Sequence, residues 1–114
     1  MHIREAGVSL SVEVRDNRTG LPATGLRLSL QSRQGDVWAH VATGTVDANG
    51  HANAWPLTTA ECHRLVVDAE EYFAQTGTEG LYTEASFAFR TADPADGPRI
   101  LLLLTPASLS AYRA

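Results

Sequence analysis

The chain has no lysine, one cysteine and one methionine in 114 residues, only eight aromatic side chains, and no apolar run long enough to cross a bilayer. Each shortage excludes something. Without lysine there is no Schiff-base chemistry, and all nine basic residues are arginines. With Cys62 alone no internal disulfide forms. Its place in an apolar segment reads as a buried thiol. The longest apolar stretch, Ile100 to Leu104, is bracketed by Pro98 and Pro106 and fits a buried strand. A net charge of −4 argues against sequence-independent nucleic-acid binding. The first residues, Met1-His2-Ile3-Arg4-Glu5, lack the apolar core of a signal peptide, so a cytoplasmic protein with no membrane partner is expected. His2, His40, His51 and His63 show no metal-ligand spacing, and no glycine-rich phosphate loop is present, so neither metal nor cofactor is expected.

What the chain does contain is alternation. Val8, Leu10, Val12 and Val14 face one way, and Ser9, Ser11, Glu13 and Arg15 the other, as in a strand with one wet face. Leu26 to Leu30 and about Trp38 to Val46 read as the next strands. Asn49-Gly50 then signals a tight hairpin turn with positive φ at both residues, so a short strand from His51 to Trp55 should pair back until Pro56 ends it. Cys62 to Val67 is too continuously apolar for one wet face. Asp68 followed by Ala69-Glu70-Glu71 matches a helix start, and Gly77 a stop. Thr83 to Thr91 and two strands either side of Pro106 complete about eight strands and one helix. The fold class expected is all-β, an antiparallel sandwich in a single domain spanning 1–114.

Several strings carry a resemblance. Asp68-Ala69-Glu70-Glu71-Tyr72-Phe73-Ala74, Phe87-Ala88-Phe89-Arg90-Thr91-Ala92-Asp93-Pro94, Leu102 to Pro106 and the terminal Tyr112-Arg113 resemble the transthyretin-like family, whose enzymes are 5-hydroxyisourate hydrolases. The resemblance implies two four-stranded sheets with a short helix. It also implies a homotetramer of paired dimers, with small-molecule sites in channels between dimers. The family's signature has a His on the first strand, an Arg after an Asp-Gly turn, a His in a Tyr-His-x-Pro string, and a terminal Tyr-Arg-Gly-Ser. Here these positions fall on Glu13, His51 and Arg99, and the tail keeps Tyr112 and Arg113 but ends at Ala114.

All three central positions remain ionisable, which looks like repurposing rather than decay. Glu13 and His51 suit proton transfer, with Glu13 raising the basicity of His51 or, with its own pKa raised by burial, acting as the base. Arg99 suits an anion clamp, and Tyr112, Arg113 and Ser11 are candidate substrate contacts. The plainer readings stand beside these: Glu13 as a solvated strand residue, His51 as a surface histidine, Arg99 as a guard against strand aggregation, and Tyr112 as interface packing. Three functions remain open. The chain is an enzyme with changed chemistry on a heterocyclic or carbonyl-rich metabolite, a non-catalytic small-molecule binder, or a divergent urate-pathway hydrolase.

Overall fold

The computed structural model describes residues 5–91 and 97–113; His2, the Ala92-Asp93-Pro94 string and Ala114 lie outside them. Strand β1 (Glu5–Asp16) is the spine. It pairs on one side with β8 (Arg99–Thr105) in parallel, and on the other with β2 (Leu21–Pro22) and β5 (His51–Thr58), both antiparallel. Strand β9 (Ser108–Arg113) closes that sheet against β8. The second sheet runs β4 (Val37–Thr45), β3 (Arg27–Gln34), β6 (Cys62–Asp68), β7 (Glu84–Arg90).

Alternation along each strand sends one set of side chains into the space between the sheets. Leu10, Val12 and Val14 of β1 and Leu102 and Leu104 of β8 meet Leu28 and Leu30 of β3 and Leu65 and Val67 of β6, all buried. The expected sandwich is therefore present, with two-residue β2 as an extra short strand on the first sheet.

Helix α1 (Ala69–Gln75) begins where Asp68 Oδ1 accepts from the Glu71 backbone N–H at 3.5 Å, and Gly77, at φ 73°, follows its end. The helix is tied to the spine by a buried charge. Asp16, 3% exposed, accepts from Tyr72 Oη at 3.0 Å and from Arg18 Nη2 at 2.8 Å. The Arg18 guanidinium also lies 5.0 Å from the Phe73 ring centroid. Arg18, before the other contributions, holds the Asp16 carboxyl below its usual range, whereas burial and Asp16 push the Tyr72 phenol up to about 12.

Three local expectations are corrected. The Asn-Gly turn does not make a hairpin: β4 and β5 belong to different sheets, and β5 pairs with β1. The Asp47–Gly50 turn is closed by Gly50 N–H to Asp47 O at 3.0 Å and Asp47 N–H to His51 O at 2.9 Å, with Gly50 at φ 88°. It is a longer turn with glycine in the left-handed position, and it carries the chain from one sheet to the other. Nor does Pro56 end β5. That strand lies at the sheet edge, where a missing N–H costs no ladder bond, and Pro56 pairs with Ser9. A register shift between Leu10 and Val12 lets Ala52 and Trp55, three residues apart, both face inward.

Strand β6 does have a half-wet face, because it alternates strictly: His63, Leu65 and Val67 are buried, whereas Cys62, Arg64 and Val66 are only half-covered. The period of two, not the apolar content, decides Cys62. It is a partly exposed free thiol rather than a buried one. The inward place goes to His63, whose Nε2 lies 3.1 Å from the Thr58 backbone N and whose Nδ1 lies 2.7 Å from Thr91 Oγ1.

Candidate functional site

The outward positions of the β1 sheet carry the polar residues singled out by sequence. Glu13 is the register partner of His51 on β5 and of Leu101 on β8, and Leu101 in turn faces Tyr112 on β9. Glu13, His51 and Tyr112 thus belong to one transverse row of the sheet. Ser11 and Arg99 form the adjacent row, two residues along. With strands about 4.8 Å apart and about 3.3 Å of rise per residue, the Cα atoms of His51 and Arg99 are on the order of 12 Å apart.

His51 and Glu13 touch: Nε2 lies 3.5 Å from Oε1, with 42% and 35% of the two side chains exposed. The turn before His51 holds it in place, because Asp47 Oδ1 accepts both the Asn49 and His51 backbone N–H groups, at 2.8 and 3.0 Å. Those bonds hold the Asp47 carboxyl below its usual range. Gly50 is needed here for a second reason: a Cβ on it would lie 3.3 Å from Val14 O.

Arg15, which alternation placed only on the wet face of β1, also takes part. Its Nε donates to Glu13 Oε2 at 2.7 Å, so the carboxylate is shared between a guanidinium and an imidazole. The Arg15 hydrogen bond is the largest influence on Glu13 and lowers its pKa, and the weaker His51 contact acts the same way against a partial desolvation. Glu13 as a base with a raised pKa is therefore corrected: at neutral pH it is a fixed carboxylate. The signal was present in the sequence, because residues two apart on a strand share a face.

Arg99 is exposed at the start of β8, and its side chain has no ion pair or hydrogen bond among the described residues. It does not touch Glu13 or His51. Instead Arg99, Tyr112 and Arg113 gather at a cleft of about 290 Å³ between the β7 and β9 edges. Arg113 is the register partner of inward-facing Ile100 and so departs from the row of Glu13. The six candidates thus fall into two groups: Glu13 with His51, and Arg99 with Tyr112 and Arg113. Ser11, half-buried, is the register partner of Arg99 between them. A second concavity of about 390 Å³, beside β4 and β5, takes His51, Thr43 and Trp55 into its lining. Among the described residues no cluster of three or more His, Cys, Asp or Glu is placed to hold a metal, and no helix is long and apolar enough to cross a membrane.

Two sheets in this strand order, with a short helix after β6 and polar residues in rows on the outer face of the β1 sheet, define a transthyretin-like sandwich. The chain belongs to the HIUase/transthyretin family, whose profile matches residues 10–114. It is 28% identical over 107 residues to the 5-hydroxyisourate hydrolase of Salmonella dublin, covering 91% of this chain and 79% of that protein. It superposes on the 5-hydroxyisourate hydrolase of Klebsiella pneumoniae with a TM-score of 0.80 at 29% identity, over 94% of this chain and 98% of the other. Sea bream transthyretin, solved in complex with thyroxine, gives a TM-score of 0.79 at 25% identity, over 92% and 93%.

Proposed function

We propose that this chain is an enzyme of the family with a remodelled site, performing acid–base hydrolysis, ring opening or cyclisation of a small heterocyclic or carbonyl-rich metabolite. The observation that carries this is the His51–Glu13 contact, with Arg15 securing the carboxylate and Arg99, whose side chain has no partner among the described residues, on the neighbouring row. In the hydrolytic case His51 takes a proton from water as its oxygen adds to the substrate carbonyl, then returns that proton to the departing heteroatom. Glu13 stays ionised throughout; it orients the imidazole and stabilises its cationic form. Arg99 meets the oxyanion or a substrate carboxylate, a role suited to a guanidinium that keeps its charge. Ser11, Tyr112 and Arg113 contact the rest of the substrate.

The resemblance noted in the sequence supports the same reading, since it implies that the positions of the family's signature fall here on Glu13, His51 and Arg99. Moving positive charge to a different wall of the pocket disfavours the urate-pathway substrate. The reading includes a cytoplasmic homotetramer, a dimer of dimers, with the outer face of the β1 sheet lining the channel. The decisive assay follows the decay of 5-hydroxyisourate generated in place. No acceleration over buffer is expected, and a rapid decay abolished by His51→Ala would instead make the chain a divergent urate-pathway hydrolase. A second reading, a non-catalytic carrier, is favoured by the thyroxine complex of sea bream transthyretin. A substrate whose turnover is lost in both Glu13→Gln and His51→Ala would exclude it.

A further inference from the structure

The outward face of the second sheet carries charges that no neighbour neutralises. Cys62 on β6 is the register partner of Arg90 on β7, and Arg33 on β3 follows Ser32, the partner of His63, so Arg33, Cys62 and Arg90 make one transverse row. Ser32 and His63 are buried in the core, and alternation therefore turns this row outward. With neighbouring strands about 4.8 Å apart, the Cα atoms of the two arginines are about 10 Å apart. Both border a cavity of about 470 Å³, together with Glu61, Cys62, Ala88 and Phe89. A third arginine of this face shows the contrast. Arg64 donates from Nε to Gln31 Oε1 at 2.6 Å and lies 4.4 Å from the Trp38 ring centroid, so it is held in place. Arg33, Arg90 and Glu61 are exposed, and their side chains have no ion pair or hydrogen bond among the described residues.

We infer that this cavity is a binding site for a small zwitterionic dicarboxylate, of the class of the acidic amino acids. Two cations and one anion around one space are matched by two carboxylates and one ammonium. Arg33 and Arg90 each donate a fork of hydrogen bonds to one carboxylate, and Glu61 accepts from the ammonium. Selectivity comes from repulsion as much as from attraction. A simple dianion meets the Glu61 carboxylate without compensation, and a cation meets two guanidinium groups. Cys62 and Ala88, both short, leave the space between the arginines open. The site is on the other sheet from Glu13, His51 and Arg99 and faces away from them, so it is independent of the catalytic reading. Arg90 also borders the cleft at the β7 and β9 edges, so Arg33, two strands in from the β7 edge, is the residue that tells the two places apart.

The test is binding, read without turnover. Isotope-labelled protein is titrated by NMR with glutamate, with glutarate, which lacks the ammonium, and with glutamine, which lacks the second carboxylate. Expected are shifts centred on Arg33, Cys62, Ala88 and Arg90, with glutamate bound about fivefold more tightly than either analogue, the ratio that one exposed charge pair supports. Arg33→Gln should abolish the preference over glutamine, and Glu61→Gln the preference over glutarate. Both are surface changes, and resonances away from the row that stay in place report an intact fold. Cys62 gives a second readout: saturating glutamate should slow its reaction with the anionic disulfide dithiobis(nitrobenzoate) in wild type but not in Arg33→Gln. The assignment is overturned by the absence of a saturable shift with glutamate, by equal affinity for the three ligands, or by preferences that survive in both variants. Shifts centred on Tyr112 and Arg113, unaffected by Arg33→Gln, would also overturn it and move the ligand to the other cleft.

Discussion

His63 offers the sharpest test of the physical account, because it is fully buried and its hydrogen bonds fix its charge state. The Thr58 backbone N–H points at Nε2, so that nitrogen must accept and the proton of the neutral ring sits on Nδ1, donating to Thr91 Oγ1. Thr91 in turn donates to Ala60 O at 2.8 Å, and the Ala60 N–H reaches Thr58 Oγ1 at 3.1 Å. The circuit pins the β5–β6 connection to the end of β7. A second proton would have to enter at Nε2, directly against the Thr58 N–H. Burial lowers the pKa of this imidazole. The folded state therefore binds the proton less readily than the unfolded chain. The stabilisation is complete above about pH 6.5, the ordinary histidine value, and is lost as pH falls from there toward the lower folded-state value.

Within that window the slope cannot exceed about 1.4 kcal/mol per pH unit for one proton. Replacement by phenylalanine keeps a ring beside Phe89, 6.2 Å away in the native pair, and leaves the buried Thr58 N–H unsatisfied. That costs about 1–3 kcal/mol, a fall in Tm of roughly 5–12 °C at this chain length. The assay is urea denaturation followed by tryptophan fluorescence at pH 5 to 8. Wild type should lose stability toward pH 5, and His63→Phe should start lower but show a flatter profile, because the histidine responsible is gone. A wild-type profile without slope, or a variant with an unchanged slope, would refute the reasoning.

Three further outcomes follow from the geometry. Tyr72→Phe removes the phenol from buried Asp16 and should cost about 1–2 kcal/mol, measured by denaturation at pH 7. Asp16 contributes stability that is present above about pH 4 and is lost as pH falls further, so an acid titration of wild type should show a second loss below the His63 window. Gly44→Ala places a Cβ 3.2 Å from the Trp55 ring and should destabilise by about 1–3 kcal/mol, with a change in the Trp55 fluorescence.

The β-sandwich was legible because alternation in Val8–Val14 and Leu26–Leu30 leaves little choice of buried face. What the pattern could not show was which strands meet. Asn49-Gly50 looks like a hairpin whether its flanks pair with each other or pass to opposite sheets, and only the packing of Ala52 and Trp55 against the core decides it. Cys62 was read as buried because apolar content was weighed above parity, and the inward place belongs to His63. The register placing Glu13 beside His51 depends on pairing between distant segments, so it came from family resemblance rather than from local sequence. Arg15 was readable as a neighbour of Glu13 but not as its partner, since the direction of a long side chain depends on what surrounds it. Arg113 leaves the row of Glu13 because side chains change face at each residue of a strand, and Tyr112-Arg113 was taken as a pair without that alternation.

The parallel pairing of β1 with β8 joins segments separated by nearly the whole of the chain. During synthesis β1 emerges well before β8, so its β8 side stays unpaired until residues 99–105 have left the ribosome, and pairings of such long range slow folding. Meanwhile the apolar side of β1 stays open to other chains. Its alternating charges, Glu13 and Arg15 among them, then guard a nascent strand as well as furnishing a site. Production yield should therefore fall when those charges are removed, even where the finished fold tolerates the change.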